Sequence, residues 1–174
     1  KIAVPCAKAS LAGLTAGDWV SISGTMYGAR DAAHKRFAGL IREGAPLPIP
    51  LSDQFIYYVG PTPARPGRPV GSCGPTTSSR MDPFTPALLG QGLAGIVGKG
   101  HRSDGVRREI GRHGAVYFVT FGGCGAYLSR FVKECAVVAF EELGPEAVFR
   151  FEVENFPAMV CIDSRGTDFY GMKK

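Results

Sequence analysis

The stretch Gly74-Pro-Thr-Thr-Ser-Ser-Arg-Met-Asp82 concentrates more reactive and ligand-binding side chains than any other part of the chain. Its hydroxyls crowd the start of a segment that also carries an arginine and an aspartate. Read as a turn opening a short helix, it places Thr76 and Arg80, four residues apart, on one helical face. The unpaired N–H groups of the helix start point into the same space. Hydroxyls, N–H donors and a guanidinium together make a cradle for a carboxylate. The same string also reads as a capping motif with a solvated arginine, and residue types alone support both readings equally.

Other suggestive strings carry less. Gly90-Gln-Gly-Leu-Ala-Gly95 has dinucleotide-loop spacing, but it follows a helical pattern and opens a strand, the reverse of the order such a loop needs. Gly98-Lys99-Gly100 fails as a phosphate loop, because Leu93 stands where the first glycine belongs and Gly100 where a magnesium-binding hydroxyl belongs. Gly122-Gly-Cys-Gly125 lies between a strand and a helix, where free N–H groups could hold an anion and depress the Cys124 pKa. A tight turn with a buried thiol is the favoured reading there. His34 reads as a solvated helix histidine, and His101 and His113 have no obvious partner. Three histidines without paired spacing argue against a hydrolytic metal site. The five cysteines, Cys6, Cys73, Cys124, Cys135 and Cys161, are odd in number and contain no C-x-x-C pair. They read as reduced thiols, not as a zinc or iron–sulfur ligand set, so no metal ligand is assigned to this chain.

These residues need a scaffold. Asp18–Gly24 alternates as a strand does, and Gly28–Gly44 follows as an amphipathic helix with Asp31 as N-cap and Gly44 as its stop. Phe55–Val59, Leu93–Val97 and Ala115–Phe121 are apolar enough to be buried strands. Gly60–Pro69, with its repeated prolines, must be an extended loop. Thr85-Pro86 starts a short helix with Thr85 as cap, and Asp104–Gly111 is helical. Ala126–Glu142 is predicted as one long helix, and Ala147–Val153 and Ala158–Asp163 as two separate strands. The result is an α/β chain whose early and late strands need not be parallel.

Composition sets the outer bounds. With 174 residues, 45% hydrophobic and 20% charged, the chain can bury a core without staples, and it is read as a single domain over residues 1–174. The net charge is +5, with thirteen arginines against seven lysines, which favours an anionic ligand. Nucleic acid is not expected, because no basic run occurs and Arg102, Arg107, Arg108 and Arg112 alternate with Asp104 and Glu109. No apolar run approaches the ~20 residues of a membrane span. Ile2–Ala7 is too short for a signal peptide, and a cytoplasmic protein is expected. The first residue is Lys1, which suits a trimmed chain or part of a longer polypeptide.

Ala29-Arg-Asp-Ala-Ala-His-Lys-Arg36, Gly74–Asp82 and Ile96-Val-Gly-Lys-Gly100 resemble, in order and spacing, the β subunit of class I fumarate hydratase. The same region occurs in L-tartrate dehydratase, and the likeness runs from about Leu14 to Tyr170. The resemblance implies a swivelling β/β/α domain with mixed sheets and flanking helices. It implies a hetero-oligomer in which a separate α subunit holds a [4Fe–4S] cluster through three of its own cysteines. It also implies a hydro-lyase interconverting L-malate and fumarate, with Thr76 as the proposed base and Arg30, Arg80 and Lys99 binding the dicarboxylate. The L-tartrate dehydratase β subunit is the nearest alternative. A non-catalytic acid- or RNA-binding module with the same fold is the alternative of another class.

Overall fold

The computed structural model describes residues 1–172. Its elements run β1 (Ile2–Val4), β2 (Trp19–Gly28), α1 (Asp31–Glu43), β3 (Phe55–Tyr57), α2 (Thr85–Gly90), β4 (Gly95–Gly98), α3 (Asp104–His113), β5 (Val116–Val119), α4 (Gly125–Leu128), β6 (Val132–Ala139) and β7 (Val148–Ile162). Short 3-10 turns fill several of the connections, among them Ser78–Met81 and Glu141–Glu146. The protein is a mixed α/β structure built on one seven-stranded sheet with flanking helices.

Strands β2, β3, β4 and β5 are neighbours and parallel. The long β7 runs antiparallel to both β5 and β2, so five strands close into a barrel. Strand β1 adds to β2, and β6 adds to β7. Apolar runs in the sequence explain why the parallel strands are covered on both faces. Phe55 and Tyr57 point into the barrel, where they pack with Val97, Val116, Phe118 and Phe151. Their neighbours Ile56 and Tyr58 point outward, against Phe37, Leu88, Ile96, Ile110 and Tyr117. The period-two alternation thus divides one apolar run between two cores, one inside the barrel and one under the helices.

Several expectations change. Ala126–Glu142 is not one helix: α4 stops after four residues, a 3-10 turn follows, and Val132–Ala139 is strand β6. Val132, Val137 and Val138 favour extended backbone, and the exposed rim of β7 offers pairing partners that a helix would forgo. The two late strands are a single strand, β7, with Asn155 at φ 53° forming a bulge. The Asn155 N–H donates to Ser23 Oγ at 2.9 Å there. Asp31 is the first helical residue of α1 and Arg30 occupies the N-cap. Phe84, not Thr85, caps α2, and the Thr85 hydroxyl donates to the Met81 carbonyl instead.

Candidate functional site

Because β2 to β5 are parallel, their carboxyl ends share one rim of the barrel, where the connecting loops of α/β sheets gather polar groups. Each parallel strand delivers something to it. Beyond β2 comes Arg30, beyond β3 comes Gly60, beyond β4 comes Lys99, and beyond β5 comes the Gly122–Gly125 turn. Gly60 has no side chain because Arg30 lies across it: a Cβ there would stand 3.0 Å from Arg30 Cδ. The Gly122 Cα likewise lies against the Lys99 stem, which a Cβ would meet at 3.3 Å.

Segment Gly74–Met81 threads between the extensions of β3 and β4. Pro75 bridges to Val59, the Thr76 N–H donates to the Tyr58 carbonyl at 2.7 Å, and Thr77 bridges to Lys99. The Ser78 N–H donates to the Lys99 carbonyl at 3.0 Å, while Ser78 Oγ accepts from the Lys99 N–H at 3.1 Å. Ser78 is fully buried against Gly98, whose missing Cβ leaves it room. Thr76 therefore stands half-buried in extended backbone, not on a helix, and the shared helical face with Arg80 does not exist. The helical turn begins only at Ser78 and carries Arg80 outward.

The structure brings the four candidate residues Arg30, Thr76, Arg80 and Lys99 to this one rim, and it adds the group that ties two of them together. Asp31 accepts from Arg30 Nε at 3.0 Å and faces Arg80 Nε at 2.8 Å. Burial alone would raise the Asp31 pKa, but its own backbone N–H and the two guanidinium groups hold it below the usual range. Pairing through Nε leaves the outer nitrogens of Arg80 available, and Arg30 uses one of its own on Glu146 at 3.5 Å. Glu146 also accepts the Ala32 N–H at 2.8 Å, capping α1 from a distant loop. Lys99 Nζ donates to Thr77 Oγ1 at 2.8 Å. Two arginines share Asp31, Glu146 faces one of them, and Lys99 stands apart on Thr77, so three cations against two carboxylates leave net positive charge at this rim, which suits an anionic ligand.

Behind this rim lies a buried polar layer that residue patterns did not reveal. Arg102 has a fully buried side chain. Its Nε donates to Asp82 Oδ1 at 2.7 Å and its Nη2 to Thr85 Oγ1 at 2.7 Å. Its guanidinium sits over the Tyr58 and Tyr117 rings, at 5.4 and 5.1 Å. Asp82 also accepts the Ser103 N–H, so the end of the motif is clamped to the start of α3. His34, expected in solvent, is fully buried: its Nδ1–H donates to the Arg30 carbonyl at 3.0 Å and its ring meets Tyr58 edge-on. Burial lowers its pKa to about 4, so it is neutral. The only signal for His34 in the sequence was its place one turn after Arg30. For Arg102 there was none.

The thiols do not converge. Burial pushes Cys73 and Cys161 each up to about 12 and Cys135 up to about 11. Cys124 is exposed, contrary to the buried thiol expected in that turn. Among the described residues no group of three or more His, Cys, Asp or Glu side chains is arranged to hold a metal. The side chains present do not fit an iron–sulfur cluster. Among the described residues no helix is long and apolar enough to cross a membrane.

Residues 1–173 match the family described as the fumarase C-terminus. The chain is 39% identical over 153 residues to fumarate hydratase 1, mitochondrial, of Leishmania major, covering 87% of this chain and 28% of that protein. It is 40% identical over 153 residues to the anaerobic class I fumarate hydratase of Escherichia coli, again covering 87% and 28%. A Methanocaldococcus jannaschii protein named for the beta subunit of L(+)-tartrate dehydratase is 37% identical over 163 residues, or 90% of this chain and 84% of that one. The chain thus spans little more than a quarter of the fumarate hydratases and most of the beta-type protein.

Proposed function

Since the chain belongs to the fumarase C-terminus family, we propose that it is the β-type part of an iron–sulfur hydro-lyase interconverting L-malate with fumarate and water. A cluster-bearing α-type partner completes the site in this reading, which is supported by the far greater length of the fumarate hydratases that match this chain and by the beta-subunit name of the other relative. The observation that carries the reading is the convergence of Arg30, Arg80, Lys99 and Thr76 on one barrel rim, with Asp31 pairing the two arginines.

In this reading Arg30 and Arg80 hold one carboxylate with the guanidinium nitrogens left free by Asp31. Lys99 serves the other. Removing the C3 proton moves negative charge onto the adjacent carboxylate, and cations fixed in advance lower that barrier. Thr76 takes the proton, the C–H electron pair becomes the C2–C3 double bond, and the C2 hydroxyl leaves with its bonding pair and departs as water once protonated. A hydroxyl is a weak base, so the role depends on the surrounding positive charge favouring its ionised form. Arg102, Asp82 and His34 stay out of contact with substrate and keep Arg30 and Arg80 in place.

L-tartrate dehydration is the second reading, favoured by the near-equal identity and matching length of the beta-type relative. The test is reconstitution with the cognate cluster-bearing part and assay of L-malate and L-tartrate side by side. The higher kcat/KM identifies the substrate, and turnover of neither removes the hydro-lyase reading. Thr76→Val in that complex should lower turnover by ~10²-fold or more while leaving substrate binding nearly unchanged. A destabilised variant with normal turnover would reduce Thr76 to a structural role and move the base to the partner.

A further inference from the structure

Trp19, the only tryptophan of the chain, is 66% exposed. It does not stand alone. Its ring stacks on Phe121, with centroids 5.8 Å apart and planes 25° apart, and Phe121 is itself 37% exposed. Tyr127, 47% exposed, meets Phe121 edge-on at 6.3 Å and packs against Phe131 at 5.2 Å. Single exposed apolar side chains are ordinary on a soluble surface, whereas a contiguous aromatic row marks a contact site.

The row is assembled by the fold. Trp19 opens β2, Phe121 follows β5 and Tyr127 lies on α4. Met159 of β7 pairs with Trp19 on one side and with Val119 on the other, which brings the two segments level. The row also borders the candidate site, because Gly122, next to Phe121, lies against the Lys99 side chain.

We propose that this aromatic row is the seat of the cluster-bearing α-type part, an inference that rests on the function proposed above. Gly122 lies against the Lys99 stem and Phe121 is its chain neighbour, so the row is continuous with the Lys99 side of the candidate site that such a body would close. The two fumarate hydratases compared above match this chain over 28% of their length, so a larger body accompanies this region in both. In the beta-type relative the match fills 84% of the protein, so the corresponding contact there lies between subunits. A surface used in both arrangements needs a compact, rigid anchor, and stacked aromatics provide one at low cost in side-chain entropy. The complementary partner surface is apolar, with Leu, Met or aromatic side chains and a polar border.

Because Trp19 is unique, it can report on its own burial. With 5-fluorotryptophan incorporated into this chain alone, the free protein should give one ¹⁹F resonance that responds to solvent deuteration. Adding the unlabelled cognate cluster-bearing part should shift that resonance and abolish the response. Trp19→Ser and Phe121→Ser, made separately and checked by thermal melting, should each weaken association tenfold or more. At saturating partner kcat should stay within twofold of the parent, because neither residue is placed in the catalytic machinery. Val138→Ser on β6 should leave association unchanged. If both aromatic variants bind the partner as tightly as the parent and the complex turns over malate or tartrate, the function stands and this docking surface is refuted. If the resonance becomes protected on raising the concentration of this chain alone, a second copy covers the row and the proposal is overturned. If the parent complex forms and protects Trp19 but turns over neither substrate, the proposed function falls while the docking surface stands.

Discussion

Asp82→Ala removes the only carboxylate that faces the Arg102 guanidinium within salt-bridge distance among the described residues. The Arg102 side chain has no exposed surface and that of Asp82 only 14%, so water cannot replace the lost acceptor. What remains is Thr85 Oγ1 and the faces of two tyrosines. Removing one partner of a buried pair costs about 3–5 kcal/mol. The freed Ser103 N–H lies at the surface and finds water, adding at most about 1 kcal/mol. For a chain of this size roughly 4 kcal/mol corresponds to a fall of about 8–16 °C in Tm. Urea unfolding monitored by circular dichroism should therefore show a lower midpoint with an unchanged slope. The double variant Asp82→Leu with Arg102→Met should recover much of the loss, since replacing both charges removes the desolvation cost together with the attraction. A loss below 1 kcal/mol for Asp82→Ala, or a double variant no more stable than the sum of the single changes, would refute the buried clamp.

Two further predictions follow from the site. His34 is held neutral by burial with a pKa lowered to about 4, below its ordinary value near 6.5. Its contribution to stability is complete above pH 6.5 and is lost as pH falls towards 4, amounting to about 3 kcal/mol over that interval. His34→Asn keeps a donor for the Arg30 carbonyl without titrating, so its stability should fall less steeply than the parent's between pH 7 and 4. Parallel unfolding profiles would contradict the assignment. Arg80→Lys should lower kcat/KM of the reconstituted enzyme ten- to a hundredfold, because lysine lacks the planar fork for a carboxylate. Tm should barely move, since the Arg80 side chain is half exposed and its pair with Asp31 stabilises by less than about 1 kcal/mol. A large fall in Tm with unchanged kinetics would make Arg80 a structural residue.

The local pattern of residues carried the parallel half of the fold. Unbroken apolar runs such as Phe55–Val59 mark strands covered on both faces, and Gly44 in the left-handed region ends α1 where its pattern stops. The four candidate residues were also legible, through motifs whose residue types and order resemble those of one family. The strand β6 was not legible, because the spacing of apolar residues in Ala126–Glu142 suits a helix as well as an edge strand. Only the open edge of β7 decides between them. Nor could the chain order reveal that β7 is a single strand closing the barrel, since its bulge at Asn155 looks like a break in one dimension.

In the site, the sequence by itself determined which side chains were available, and the tertiary structure decided what each one does. Arg102 reads as one more surface arginine among alternating charges, yet folding buries it under two tyrosines and against Asp82. Asp31 reads as a helix cap, yet the cap comes from Glu146, more than a hundred residues away, and frees Asp31 to pair two arginines. The physical reason is range. Propensity and periodicity act over a few residues and leave their mark in the local pattern. Burial and charge pairing depend on which distant segments meet, and that is fixed only when the barrel closes.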